Sequence, residues 1–182
     1  EDNYRVILPM LEERGMKAVF YVVTNDIGLP GYMTWDNLFD MERHGMEIGS
    51  HTANHIPLTT LPPEKQREEL RLSKLMLEWK GLKTIYSFSY PTGAYDAGVV
   101  AMLAEEDYLT AVTGEAGLNN VETNPYLLHR VNIPRPHFGL TEFRVRLMKA
   151  DIAARLHVRL AQLPDGVREG VTHLRTLLRG DQ

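Results

Sequence analysis

Cysteine is absent from all 182 residues. That excludes a disulfide framework, a thiolate nucleophile and a Cys-ligated zinc site, and leaves any metal to histidine and carboxylate ligands. Long apolar runs are missing too: no segment approaches the roughly 20 residues of a membrane-spanning helix, and no charged segment followed by an apolar one opens the chain as a leader would. Excess positive charge is likewise lacking. A net charge of -4 and a pI near 6.0 provide no basic field for a nucleic acid, which is excluded as a partner. The initial Met is also missing, and "EDNYRVILPMLEERG" reads as starting inside the first turn of a helix. The expectation is a fragment or processed product, for which the lack of a signal peptide says nothing about secretion.

What is present is a globular composition, 43% hydrophobic and 24% charged, enough for one sizeable core. Residues 3–14 place Val6, Leu8, Met10 and Leu11 around a helix, softened by Pro9 near its first turn and stopped by Gly15. "KAVFYVV", 17–23, is a continuous β-branched and aromatic run, as in a parallel strand covered on both faces. Thr34 caps a helix, "WDNLFDMERH", that ends at Gly45, and "MEIGS" is the next strand. "PPEKQREELRLSKLMLEWKG", 62–81, is a helix with apolar positions 70, 72, 75, 76 and 79. "TIYSFSYP" is a strand, "DAGVVAMLAEED" a helix, "YLTAVT" a strand, and "YLLHRVNIPRP" a strand plus loop. A helix follows from about Thr141. Residues 151–182 carry Leu156, Leu160, Leu163, Val171, Leu174, Leu177 and Leu178 at helical spacing on either side of Gly166, the pattern of two packed amphipathic helices. Strands alternating with helices of this length predict βαβ units around a parallel sheet or barrel.

In such folds ligands gather at the carboxyl ends of the strands. His51 and His55 in "EIGSHTANHIPLTTL" sit there, one helical turn apart, and neutral imidazoles are common ligands of divalent metals. No Glu follows His51 and Pro57 limits a long helix, so the spacing does not indicate a helical HExxH protease site. By spacing alone, a metal pair and two ordinary loop histidines both remain open.

The surrounding text narrows this. "MERHGMEIGSHTANHIPLTTL" resembles the His-x-x-x-His motif of the polysaccharide deacetylase superfamily, the metal-dependent de-N-acetylases of chitin-like, peptidoglycan and exopolysaccharide chains. "MKAVFYVV" is similar to the family's strand after its first helix. "FSYPTGAYD" resembles the FxYPxGxY form of its third motif, found in the exopolysaccharide (poly-N-acetylglucosamine) deacetylase branch. The resemblance runs in order over residues 1–135.

It implies a distorted (β/α) barrel over residues 1–150, with 151–182 as a C-terminal helical extension. It also implies a divalent metal, usually zinc, held by His51, His55 and an aspartate from a Thr-Phe-Asp-Asp motif on the first strand. In the family a segment like "EDNYRVILPMLEERG" follows that motif, so the first strand, one metal ligand and the general base are expected to be missing here. Asp2 is not assigned to that role. The implied chemistry is attack of a metal-activated water on an acetamide, with the oxyanion stabilised by a backbone N–H near "YPTG", that of Thr92, since Pro91 has none. Tyr90 and Tyr95 either line the sugar groove or cap the barrel. His129 in "LLHRVNIPR" matches the family's Leu-x-His and is the expected general acid, with His137 a weaker candidate; a barrel-lining histidine is the alternative. Asp96 and Arg130 would orient histidines or serve as capping and surface residues. His44 fits a helix C-terminus, and His157 and His173 a solvated helix face.

Three functions follow: a deacetylase of an N-acetylglucosamine-containing polysaccharide, a non-catalytic carbohydrate-binding remnant without the aspartate pair, or a (β/α) barrel hydrolase of a small amide. A glycan substrate places the intact protein in the cell envelope or outside the cell.

Overall fold

The computed structural model describes residues 1–133 together with 141, 143–146, 148, 149 and 152. The chain divides into two units, one formed by Glu1–Glu115 and Asn119–His129, the other by Ala116–Leu118 and Arg130–Gln182. In the second unit, positions 141, 143–146, 148, 149 and 152 are helical, in line with a helix from Thr141. His137, His157, His173 and nearly all of the expected helices in 151–182 lie outside the described residues.

The first unit is built on five strands, β1 (Val19–Val22), β2 (Glu47–Ser50), β3 (Ser87–Ser89), β4 (Thr110–Ala116) and β5 (Leu128–Arg130), lying side by side in chain order. β1 to β4 pair parallel, with Phe20 opposite Ile48, Ser50 opposite Phe88 and Phe88 opposite Ala111. The chain is therefore of the α/β class. A sheet whose order never reverses is wound like the wall of a (β/α) barrel, whereas a doubly wound sheet turns back at a switch point. Among the described residues the sheet is open, with β1 at one edge and β5 at the other.

The opening helix departs from expectation. Asn3–Ile7 is π-helical and runs into α1 (Leu8–Glu12), with Leu8 N–H reaching back five residues to the Asn3 carbonyl. Proline lacks an N–H and its ring crowds the carbonyl four residues earlier, so a widened turn just before Pro9 relieves the clash. The widening also changes which side chains face inward. Leu8 is buried, with Tyr4 and Leu11 packed against the core, while Val6 and Met10 face solvent.

α2 (Trp35–Arg43) begins as predicted: the Thr34 hydroxyl accepts from Asn37 N–H and the Asn37 side chain accepts from Thr34 N–H. α4 (Ala97–Glu105) is capped by Asp96, whose carboxylate accepts from Val99 N–H at 2.9 Å. That fixes Asp96 as a capping residue.

α3 (Pro63–Trp79) corrects the apolar pattern. Of the expected apolar positions only Leu70 is buried, while Leu72, Leu75, Met76 and Trp79 are exposed. The inner face carries Gln66, Glu69, Ser73 and Lys74 alongside Leu70 and Leu77. Each of these polar groups has a partner, which is what permits burial. Gln66 donates to the Leu58 and Leu61 carbonyls, Ser73 shares a hydrogen bond with Ser50, and Lys74 donates to the Glu106 and Asp107 carbonyls at the end of α4. Beneath lies an aromatic cluster in which Phe88 meets Tyr90 and Tyr108 edge to face, both at 5.4 Å between centroids.

Candidate functional site

The carboxyl end of β2 leads straight into the histidine loop. His51 N–H still bonds the Val22 carbonyl, at 2.9 Å, and the chain then turns through Thr52 and His55, both left-handed at φ 67° and 58°. Non-glycine residues avoid this region unless their surroundings hold them there. Thr52 is fully buried, and its hydroxyl accepts from His55 N–H at 2.9 Å. The Glu69 carboxylate, reaching in from α3, accepts from the N–H groups of Ala53 and Asn54 at 3.0 Å each. No helix forms here, as Pro57 predicted.

His51 Nδ1 lies 2.6 Å from the Ser89 carbonyl at the end of β3. A carbonyl can only accept, so Nδ1 carries the proton and the ring lone pair sits on Nε2. Metal-binding histidines are commonly fixed in this way by a backbone carbonyl. The His55 ring stands 4.7 Å away, centroid to centroid, at 67°. The structure thus brings the two predicted ligands together, one half-buried and one exposed. The donor set suits a divalent ion through two imidazoles. No cluster of three or more His, Asp or Glu able to hold a metal occurs among the described residues.

Beyond β3 the chain makes a short 3-10 turn, Pro91–Gly93, with Thr92 left-handed at φ 58°. Three of the four non-glycine residues with positive φ among those described, Thr52, His55 and Thr92, therefore lie on the loops that follow β2 and β3. As an early residue of a helical turn, Thr92 has an N–H without an intrahelical acceptor. Its hydroxyl donates to the Pro91 carbonyl. Gly93, at φ 80°, lies so close to β4 that a Cβ there would meet the Gly114 backbone at 2.6 Å.

The two tyrosines part company. Tyr90 is fully buried, its hydroxyl donating to the Tyr126 carbonyl at 2.9 Å, and burial pushes its phenol well above the ordinary value. It is a core residue, and the expectation that it lines a groove is corrected. Tyr95 is half-buried, its ring 5.3 Å from that of Tyr90, and its hydroxyl donates to Glu115 at 2.7 Å. That bond and partial burial hold its phenol above 10.0.

His129 stands on β5, its backbone clasped by the Asn119 side chain through bonds of 2.9 and 3.0 Å. Its Nδ1 is 3.6 Å from Glu115, beyond hydrogen-bonding length, and is buried without another partner. Tyr95, Glu115 and His129 thus form a second polar group, of which Glu115 was not anticipated from the sequence. His44 ends α2 and pairs with Glu12, away from both groups.

A chain-ordered parallel sheet with imidazole, hydroxyl and carboxylate groups at its carboxyl end is the framework of a (β/α) enzyme. The model of the polysaccharide deacetylase family matches residues 1–111, and the chain belongs to that family. It is 32% identical over 132 residues to YxkH of Bacillus subtilis, whose name assigns it to the polysaccharide deacetylases; the match covers 72% of this chain and 47% of YxkH. The deacetylase PplD of Streptococcus pyogenes, solved in complex with acetate, superposes with a TM-score of 0.74 at 26% identity, over 82% of this chain and 65% of PplD. IcaB of Ammonifex degensii shares the fold, with a TM-score of 0.66 at 21% identity over 73% of this chain and 63% of IcaB. The chain thus spans about half the length of the curated relative it matches.

Proposed function

We propose that this chain is part of a metal-dependent hydrolase that removes N-acetyl groups from an N-acetylglucosamine-containing polysaccharide of the cell envelope or extracellular matrix. The observation that carries this reading is the hydrogen bond from His51 Nδ1–H to the Ser89 carbonyl, in a ring whose centroid lies 4.7 Å from that of His55. Family membership and the likeness to a deacetylase solved with acetate, the product such a reaction releases, support it.

His51 and His55 would hold the ion, zinc before other divalent metals, with a third ligand from outside the described residues. Bound there, it would supply Lewis-acid polarisation of the amide carbonyl and a water acidic near neutral pH. The rest falls to the protein. Thr92 N–H donates to the developing oxyanion, an interaction strongest in the transition state. Tyr95 forms part of the sugar-facing wall with its hydroxyl oriented by Glu115. His129 delivers a proton to the departing amine, with Glu115 as the carboxylate beside it.

Acetate release from chitin-type oligosaccharides, measured with bound metal on this chain and on a form extended upstream in its gene, tests the reading. About one metal ion with acetate release in the extended form supports it. If neither form binds metal or releases acetate, a non-catalytic carbohydrate-binding module takes its place. Release from small amides but not from oligosaccharides would instead indicate a small-amide hydrolase.

A further inference from the structure

We infer that Glu69 is a positioning residue of the histidine pair, setting the separation and aim of His51 and His55 without touching metal or substrate. This rests on reading the two histidines as a metal pair. Glu69 lies on the inner face of α3, 8% exposed, where an ionised carboxylate is stable only if its lone pairs are occupied. They are: Oε2 accepts from Ala53 N–H and Asn54 N–H at 3.0 Å each, and Oε1 accepts from the Asn54 side chain at 2.5 Å. Ala53 and Asn54 are residues between the two histidines. The left-handed turns at Thr52 and His55 take these N–H groups out of any sheet or helix ladder, so the carboxylate serves as their acceptor.

Three supports act at different points of the loop, beside the bonds that Thr24 N–H and Asn25 N–H donate to the Thr52 and Ala53 carbonyls at 3.2 and 3.1 Å. The Ser89 carbonyl fixes the His51 ring and the Thr52 hydroxyl takes His55 N–H. Glu69 holds the segment between them, and it alone ties that segment to a long helix. Asn54 extends the tie, since its side-chain oxygen accepts from Asn25 on the loop after β1, at 2.7 Å. Charge-assisted bonds to two adjacent amides are short and directional, so loss of the charge loosens both at once.

The test is Zn2+ titration of the chain in the form extended upstream in its gene, with His51→Ala setting the background and thermal unfolding measured in parallel. Glu69→Gln keeps the size of the side chain but places an amide where two donors converge. We expect its Zn2+ affinity to fall about 10- to 100-fold, the range for residues that orient metal ligands. Lys74→Met removes another buried polar group from the same face of α3, one bonded to the end of α4 and not to the loop. It should lower the melting temperature and leave Zn2+ affinity unchanged. Glu69→Asp, which keeps the charge, should recover part of the affinity lost in Glu69→Gln. Unchanged Zn2+ affinity in a folded Glu69→Gln, or an equal loss of affinity in Lys74→Met, overturns the inference while leaving the metal pair standing. If the upstream-extended form binds no more Zn2+ than its His51→Ala variant, the metal pair itself is overturned and the inference with it, a result visible before any Glu69 variant is made.

Discussion

The two halves of the candidate site are held by different means. On the β2 and β3 side, His51 and His55 rest on a buried framework: a backbone carbonyl on one ring, a buried hydroxyl on the loop and a carboxylate beneath it. On the other side, Tyr95, Glu115 and His129 share one hydroxyl–carboxylate bond, and the imidazole stands 3.6 Å from its nearest carboxylate. Ligand placement demands fixed geometry, whereas a proton donor must approach its acceptor as the reaction proceeds. The difference therefore matches a division of labour between holding and transferring.

Substitutions can break that comparison. The largest effect is expected from His51→Ala, which should reduce Zn2+ binding to background in a titration and abolish acetate release in the catalytically competent form. His129→Ala should slow acetate release by about 10²- to 10⁴-fold, as removal of a general acid does, while Zn2+ binding stays unchanged. Loss of metal from His129→Ala would show that the halves are not separate. A third comparison lies outside the site: Leu70→Ala, at a fully buried position, should cost about 2–5 kcal/mol in denaturant unfolding, and Leu72→Ala on the exposed face within about 0.5 kcal/mol. Thr34→Ala should cost about 1 kcal/mol through its lost cap.

The smallest effect concerns alkali. Tyr90 and Tyr108 are raised above 10.0 by burial, and Tyr95 by its bond to Glu115 and by burial. A raised value means that the folded state retains protons the unfolded state releases. The stabilisation is complete below pH 10 and lost as pH climbs through the raised values. Phenolate absorbance should therefore show the two buried tyrosines ionising only with unfolding, and Tyr95→Phe should remove the Glu115-linked part of the dependence.

Much of this was legible in the sequence. Strand and helix positions followed from periodicity and punctuation, the Thr34 cap from its place before Trp35, and the histidine pair from its spacing at a strand end. What was not legible shares a physical cause. Gln66, Glu69, Ser73 and Lys74 were not singled out because a buried polar group and an exposed one look alike until the partner is known, and these partners lie as far as 33 residues away along the chain. Trp79 and its apolar neighbours misled in the opposite sense. For Tyr90 against Tyr95 only the sheet decides which ring is covered, and Glu115 gained meaning from residues 14 and 20 positions distant.

The contact between Gly93 and Gly114 joins the two halves at a seam with no side chains in it. A single methyl group there acts as a spacer, prising the turn that bears Thr92 away from the strand that bears Glu115 while every polar group keeps its identity. The spacing of turn and strand is thereby written in two missing carbon atoms, and Gly114→Ala, whose methyl would meet Gly93 Cα at 3.2 Å, offers a way to change it.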